Sequence, residues 1–288
     1  MRAYLARTMC VLILATACGE RDAGKVAART PSVPRVEETL LPPILFDDRK
    51  EMEAYLAALP EGVYQVHEVP TLGKFYLDDL RDVIKDTLRK GRTWEGDLVR
   101  LFAEHVRPGS TVIDAGAHIG VHTISLARLV GPEGRVYAFE PQKKLYRELV
   151  YNLRLNALVN AVPLRYALGR SAGVIEMSPA LEGNEGGTKV GSGGDRTELR
   201  SIDSFAFADV SFIKIDVEGF EDEVLEGARL TIARHRPVIQ IEIQGGYFFI
   251  ENAPPEIQAK VAATRALLTG MGYSVRRIRG YDYLAVPK

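Results

Sequence analysis

The stretch Val112-Ile-Asp-Ala-Gly-Ala-His-Ile-Gly120 decides the fold expected for this chain. It begins with a short apolar run that ends at an acidic residue, and its two glycines precede a helical pattern. Glycine permits a tight turn and a close approach of the backbone to a ligand, and the N-terminus of a helix offers unpaired N–H groups. The stretch therefore predicts a strand, a ligand-binding turn and a helix in succession.

The residues around this turn alternate between strand and helix patterns. Short β-rich runs separated by helical patterns favour right-handed βαβ units in a doubly wound, Rossmann-like α/β fold with a mostly parallel sheet. Two β-rich runs around Gly280 predict a C-terminal antiparallel hairpin at the sheet edge. The predicted strands are 111–115, 135–139, 162–167, 210–215, 237–243, 273–278 and 281–286, and the predicted helices are 121–130, 142–157, 220–234 and 255–269.

A segment with helical patterns precedes this α/β region. Patterns at 47–59, 78–90 and 95–106 predict a helical preface over residues 46–108, followed by one domain over 109–288. The chain has 288 residues, 46% hydrophobic and 26% charged, which excludes collagen-like, disordered and multi-span membrane classes. Its net charge of -1 lacks the basic excess that bulk nucleic-acid binding needs, so we expect no nucleic-acid partner.

The N-terminus has the pattern of an export signal. Two arginines and an apolar run at residues 9–17 come before any acidic residue, and Ala15-Thr-Ala17 directly precedes Cys18. This arrangement resembles a bacterial lipoprotein signal over residues 1–17, which implies a lipid anchor at Cys18 and a flexible tether over residues 18–45. An overcalled start codon is the alternative, and the protein would then be cytoplasmic.

Carboxylates at two strand ends indicate which ligand the turn takes. Counting from Gly116, His118 and Val121 stand where a dinucleotide fingerprint needs glycines, so that match fails. Asp114 would repel a pyrophosphate and would suit a cationic ligand. Glu140 ends the next predicted strand, where such folds place the carboxylate that accepts ribose hydroxyls. Together these residues predict S-adenosylmethionine, a cationic nucleoside without phosphate, as cofactor.

Three segments together resemble the signature segments of the FkbM family of methyltransferases. They are residues 112–120, Val136-Tyr-Ala-Phe-Glu-Pro141 and Phe212-Ile-Lys-Ile-Asp-Val-Glu-Gly219, and the resemblance covers residues 94–242. It implies a class I methyltransferase fold of seven strands, the last one antiparallel, with the cofactor at the carboxyl ends of the strands. One residue of the first segment, His118, stands where the family commonly has Asn. The candidate cofactor-binding residues are Asp114, Gly116, His118, Gly120, Glu140 and Ala167.

The third segment contains the candidate reaction centre. If the strand stays extended, Lys214, Asp216 and Glu218 share one face of it. A central parallel strand is normally apolar on both sides, so a lysine and two carboxylates indicate a polar cluster where open α/β sheets bind ligands. Glu242 ends the neighbouring strand and completes the candidate catalytic group. A buried structural ion pair between Lys214 and Asp216 is the alternative interpretation.

The resemblance implies a methyltransferase, and O-methylation of a hydroxyl on a sugar or small natural product is the favoured reaction. A hydroxyl acceptor must lose its proton, and Asp216 is the candidate base. Glu218 and Glu242 would orient the acceptor, and Lys214 would hold the acid cluster or an anionic substrate. One alternative is an exported, non-catalytic binding module on the same fold, because S-adenosylmethionine is a cytoplasmic metabolite. The other is a nicotinamide-dependent oxidoreductase, which the failed glycine fingerprint disfavours.

Two further features concern metals and a flexible loop. His118 and His122 stand four residues apart at a helix start, but no third ligand is evident in the sequence. Both cysteines, Cys10 and Cys18, lie in the first eighteen residues, so the body of the chain has no thiolate metal site, and we assign no metal-binding residues. The Gly-rich stretch 179–198 is either a lid over the substrate or a surface loop.

Overall fold

The computed structural model of the chain describes residues 63–179, 182–243 and 253–288, all of which belong to one compact unit. The predicted signal segment, tether and first helix (47–59) lie outside the described residues. Within the described ranges, no helix is long and apolar enough to cross a membrane.

The described part of the preface begins with a β-hairpin that the sequence analysis did not predict. Strand β1 (Gln65–Val69) pairs antiparallel with β2 (Gly73–Leu77). Each strand ends on a buried apolar residue, Val69 and Leu77. The expectation of a purely helical preface is therefore wrong, because these short runs bury their apolar residues by pairing with each other.

Two helices follow the hairpin. The structure has helix α1 (Val83–Arg89) where the sequence analysis expected a helix over 78–90. The helix begins late because Asp82 is its N-cap, with its carboxylate accepting hydrogen bonds from the backbone N–H groups of the second and third helical residues at 2.9 Å. Helix α2 (Gly96–His105) confirms the prediction of 95–106 to within one residue at each end.

A seven-stranded, mostly parallel sheet forms the centre of the fold. The remaining strands are β3 (Thr111–Ala115), β4 (Arg135–Phe139), β5 (Ala161–Leu164), β6 (Ala167–Leu168), β7 (Gly173–Glu176), β8 (Arg196–Arg200), β9 (Val210–Ile215), β10 (Val238–Glu242), β11 (Tyr273–Arg279) and β12 (Asp282–Pro287). The strand order of the central sheet is β11-β12-β10-β9-β3-β4-β5. Strands β10, β9, β3, β4 and β5 run parallel, and β12 pairs antiparallel with both β10 and β11. The doubly wound, Rossmann-like fold and the C-terminal antiparallel hairpin are confirmed.

Helices cover both faces of the sheet. They are α3 (Val121–Val130), α4 (Lys143–Leu155), α5 (Glu221–Glu226), α6 (Arg229–His235) and α7 (Pro255–Gly270). Successive residues of β9 point to opposite faces, so Phe212 and Ile213 belong to different apolar cores. The core that contains Phe212 also contains residues of the preface, such as Phe75 and Phe102, together with α3 and α4. The described preface thus packs on the same sheet as the predicted domain.

Two predicted elements are interrupted in the structure. The predicted strand 162–167 splits, because Ala167–Leu168 leaves the central sheet and pairs with β8 in a small sheet of order β6-β8-β7. The predicted helix 220–234 breaks at Gly227, where an added Cβ would lie 1.9 Å from the carbonyl oxygen of Gly169. The second half begins anew because the carboxylate of Asp203 accepts the backbone N–H groups of Leu230 and Thr231.

Candidate active site

The candidate site is a cavity at the carboxyl edge of the central sheet. Its volume is about 420 Å³, and it lies over the ends of β3, β4, β9 and β10. Two clefts of about 470 and 540 Å³ lie elsewhere and contain none of the predicted site residues, so size alone does not identify the site. The cavity is lined by Val83, Ile84, Trp94, Glu95, Gly116, His118, Glu140, Asn184, Gly186, Gly187, Lys189, Asp216, Glu218 and Glu242.

The glycine turn after β3 lies directly against the end of β9. Gly116 has φ +80°, and an added Cβ would lie 1.7 Å from the carbonyl oxygen of Asp216. Only glycine fits there without moving the backbone. Gly120 has φ +94° and does not line the cavity; an added Cβ would instead meet the side chain of Leu149 at 2.8 Å. The two predicted glycines therefore have different roles. Gly116 lines the cavity, whereas Gly120 allows helix α4 to pack closely against the turn.

Glu140 ends β4 beside this turn, as predicted. Its carboxylate accepts hydrogen bonds from the backbone N–H groups of His118 and Gln142, both at 2.9 Å. The side chain is buried, and burial raises its pKa to about 7, although these two bonds act in the opposite direction. Each carboxylate oxygen has a further lone pair that can accept a ligand hydroxyl. The residue is thus fixed in orientation and able to accept hydrogen bonds from a ligand.

Lys214 is shared between two carboxylates. Its ammonium lies 3.2 Å from Asp114 and 3.5 Å from Asp216, and it donates to the carbonyl oxygen of Gly116 at 2.9 Å. Burial alone would lower the pKa of Lys214, but the two carboxylates raise it above its ordinary value, so the lysine remains charged. The predicted pairing of Lys214 with Asp216 is present, and a second partner accompanies it.

Asp114 is completely buried and lies behind the cavity. Its carboxylate accepts a hydrogen bond from the Thr123 hydroxyl at 2.6 Å and faces Lys214. It is absent from the cavity lining, so the cation that it neutralises among the described residues is Lys214. Asp216, whose side chain is 31% exposed, is the member of this group that reaches the cavity.

Glu218 and Glu242 join Asp216 on the cavity wall. The extended conformation ends at Ile215, and Glu218 has φ +51°, so the expectation that an extended strand carries Glu218 to this face is wrong. The turn after β9 brings it to the cavity instead. Burial, followed by the charge of Asp216, raises the pKa of Glu218 to about 7 and that of Glu242 to about 10. Glu242 is therefore protonated at neutral pH.

The preface contributes two cavity residues that sequence reasoning missed. Trp94 and Glu95 lie immediately before α2 and line the cavity beside the carboxylates. Glu95 pairs with Arg279 of β11, and its carboxylate lies 3.4 Å from Nε2 of His122. Burial raises the pKa of Glu95 to about 7. No local pattern marks Glu95, although Trp94 is the single tryptophan of the chain and could have drawn attention to this position.

The remaining predicted residues have different positions. His118 lines the cavity with φ +52°, and neither ring nitrogen has a hydrogen-bond partner among the described residues. Burial lowers its pKa to about 4, so the imidazole is neutral at neutral pH. His122 lies inside α3 and packs edge-on against Phe102 with ring centroids 5.3 Å apart. Ala167 is buried in the small sheet and is not part of the cavity lining.

The Gly-rich stretch also reaches the cavity. Its described residues Asn184, Gly186, Gly187 and Lys189 line the cavity. Glycines suit this role because they let the chain pass close to His118, whose ring would lie 2.8 Å from a Cβ added at Gly186.

A family profile shows the family to which the chain belongs. A family profile described as "Methyltransferase FkbM domain" matches residues 114–275, which is more than half of the chain. No curated protein matches the chain. Among solved structures, a methyltransferase FkbM from Methylobacillus flagellatus is 20% identical with a TM-score of 0.44; the match covers 65% of this chain but only half of that protein.

Two other solved structures are similar at lower identity. A putative rRNA-methylase from Clostridium thermocellum is 17% identical, with 66% of this chain and 92% of that protein covered and a TM-score of 0.43. A putative methyltransferase from Streptococcus mutans, solved in complex with S-adenosylhomocysteine, is 12% identical, with 66% and 94% covered and a TM-score of 0.40.

Proposed function

Because the chain belongs to the FkbM family of methyltransferases, we propose that it methylates a hydroxyl group of a sugar or small natural product. S-adenosylmethionine is the cofactor and supplies the methyl group on a positively charged sulfur. The observation that carries the proposal is that Glu140 and Asp216 line one cavity on either side of the glycine turn. One bound molecule could then meet both a carboxylate that accepts ribose hydroxyls and a carboxylate that accepts a proton.

The cofactor side of the cavity fits this donor. Gly116 lets the turn pack against the carbonyl oxygen of Asp216, and the turn itself lines the cavity where the donor would lie. Glu140 is held by two backbone N–H groups and can accept ribose hydroxyls with its remaining lone pairs. The ring nitrogens of His118 are buried and without partners, so they are available to hydrogen-bond a polar group of the donor.

The acceptor side of the cavity supports proton removal from a hydroxyl. Asp216 is partly exposed there and lies 3.5 Å from the Lys214 ammonium. An ionised carboxylate can take the hydroxyl proton as the oxygen attacks the methyl carbon. Glu242, protonated at neutral pH, can donate a hydrogen bond that orients the acceptor. The Gly-rich segment adds Asn184, Gly186, Gly187 and Lys189 to the lining of the same cavity.

The proposed function is tested by donor binding and methyl transfer on the full chain. We expect calorimetric titration to show binding of S-adenosylmethionine, and methyl-labelled donor to label hydroxylated sugars in a panel of acceptors. A folded chain that binds no donor would contradict the proposal and support the alternative of a non-catalytic binding module. Hydride transfer with a nicotinamide cofactor would instead identify an oxidoreductase.

A further inference from the structure

Residues 183–189, here called the strap, contribute Asn184, Gly186, Gly187 and Lys189 to the lining of the cavity. Gly186 lies so close to the ring of His118 that an added Cβ would be 2.8 Å from its Cδ2 atom. Both His118 and the strap line the same cavity, so a donor bound at the glycine turn would lie next to both of them.

Glu185 is the buried anchor of the strap. Its carboxylate accepts a hydrogen bond from Lys85 of α1 at 2.6 Å and another from Lys144 of α4. Its backbone N–H donates to Asp82 at 2.9 Å, and its carbonyl oxygen accepts from Gln142 at 3.1 Å. One residue therefore joins the strap to both helices, through charge-assisted bonds that exceed neutral ones in strength.

The charges around this anchor allow it to be removed without leaving a buried charge unpaired. Glu185 forms a cluster with Asp78 and Glu148 whose carboxylates are close enough to hold a metal ion, but the Lys85 ammonium lies within 3.1 Å of all three. Lys144 contacts the same three carboxylates. Neutralising Glu185 would leave two carboxylates for two ammonium groups, so the rest of the cluster would stay balanced.

We propose that Glu185 is a positioning residue that holds the strap closed over the methyl donor and thereby sets how fast the demethylated product leaves. The proposal rests on the proposed function, because it takes the molecule bound in the cavity to be the donor or its product. Lysines on two helices hold the carboxylate, so the strap opens only when these bonds break together. Release of S-adenosylhomocysteine, the donor without its methyl group, is then limited by strap opening.

Trp94 makes this measurable on the full chain. It is the only tryptophan and it lines the cavity, so its fluorescence reports on ligand binding and release. The test compares Glu185→Gln with the matched control Glu182→Gln, which removes the same charge from an exposed position next to the strap. We expect Glu185→Gln to raise the dissociation rate of S-adenosylhomocysteine roughly tenfold or more, since charge-assisted bonds to the strap are lost. The control should match the unaltered chain.

Hydrogen–deuterium exchange and thermal unfolding complete the test. In Glu185→Gln we expect faster exchange of the amides of residues 183–189 and a nearly unchanged unfolding temperature, which separates local opening from global destabilisation. An unaltered dissociation rate in Glu185→Gln would overturn the proposed role of the anchor. The same conclusion would follow if Glu182→Gln released the product equally fast. Failure of the unaltered chain to bind S-adenosylhomocysteine would instead contradict the proposed function itself.

Discussion

At the scale of single residues, Glu140 both stabilises the backbone around the glycine turn and forms part of the cavity wall. Its carboxylate accepts hydrogen bonds from the backbone N–H groups of His118 and Gln142, and the residue lines the cavity. Glu140→Ala should weaken binding of S-adenosylmethionine by at least roughly tenfold, because charge-assisted bonds to ribose are each worth about 1.5–3 kcal/mol. Glu140→Gln keeps one acceptor oxygen and should lose less. Calorimetric titration measures both, and equal affinity in all three proteins would place the nucleoside elsewhere.

Asp216 is expected to act in the chemical step. Asp216→Asn keeps its shape but cannot take a proton, so single-turnover methyl transfer should fall by about 10²–10⁴ with donor affinity nearly unchanged. Because Lys214 keeps Asp114 as a partner, the variant should lose much less stability than the roughly 3–5 kcal/mol of a broken buried ion pair. Thermal unfolding checks that point. A variant that melts early yet transfers methyl at the normal rate would mark Asp216 as a structural residue.

At the scale of elements, the contact between the glycine turn and the end of β9 sets the distance between the donor and acceptor sides. The backbone N–H of Asp216 donates to the carbonyl oxygen of Ala115 at 3.0 Å, and Gly116 packs on the carbonyl oxygen of the same aspartate. A shift of either strand end would therefore change both sides of the cavity at once.

A pair of glycine variants tests this contact. Gly116 and Gly131 both have positive φ, +80° and +70°, but only Gly116 would bring an added Cβ against neighbouring backbone. Gly131→Ala should cost about 1–3 kcal/mol, because Gly131 has φ +70° and ψ −175°, a combination that essentially only glycine adopts. Gly116→Ala should cost roughly 1–3 kcal/mol more through overpacking, and it should weaken donor binding. Urea unfolding and donor titration of the two variants provide the comparison, and equal losses would show that the contact is unimportant.

At the scale of the whole molecule, we propose that the protein is exported and held at a membrane surface through Cys18. The support is the Ala-Thr-Ala sequence before this cysteine and the proline-containing segment after it. Cys18→Ser should release the protein into the soluble fraction, whereas Cys10→Ser, which changes the other cysteine of the chain, should not. Cell fractionation shows where each variant is located, and mass measurement of the N-terminus shows whether it has been processed. An unprocessed, soluble native chain would contradict the proposal.

The sequence by itself determined the strands and helices that lie next to the glycine turn. The predicted bounds of β3, β4, β9 and α3 agree with the structure at both ends, because buried strands and helices have local periodicities bounded by glycine and proline. The placement of Glu140, Asp216 and Glu242 at strand ends follows from the same pattern, since parallel strands end at one edge of the sheet. Strand β6 was not predictable in this way because it pairs with β8, about thirty residues later, whereas the hairpin of β1 and β2 is local and was missed.

Only the tertiary structure decided which charges meet. Lys214 is joined to Asp114 from a strand about a hundred residues earlier, Glu95 to Arg279 at the other end of the chain, and Glu185 to Lys85. No local pattern marks such partners, because a buried charge is neutralised by whichever opposite charge the packing brings within a few ångströms. The strands around the cavity were thus readable from local periodicity. The roles of its charged residues follow from contacts between segments far apart in the chain.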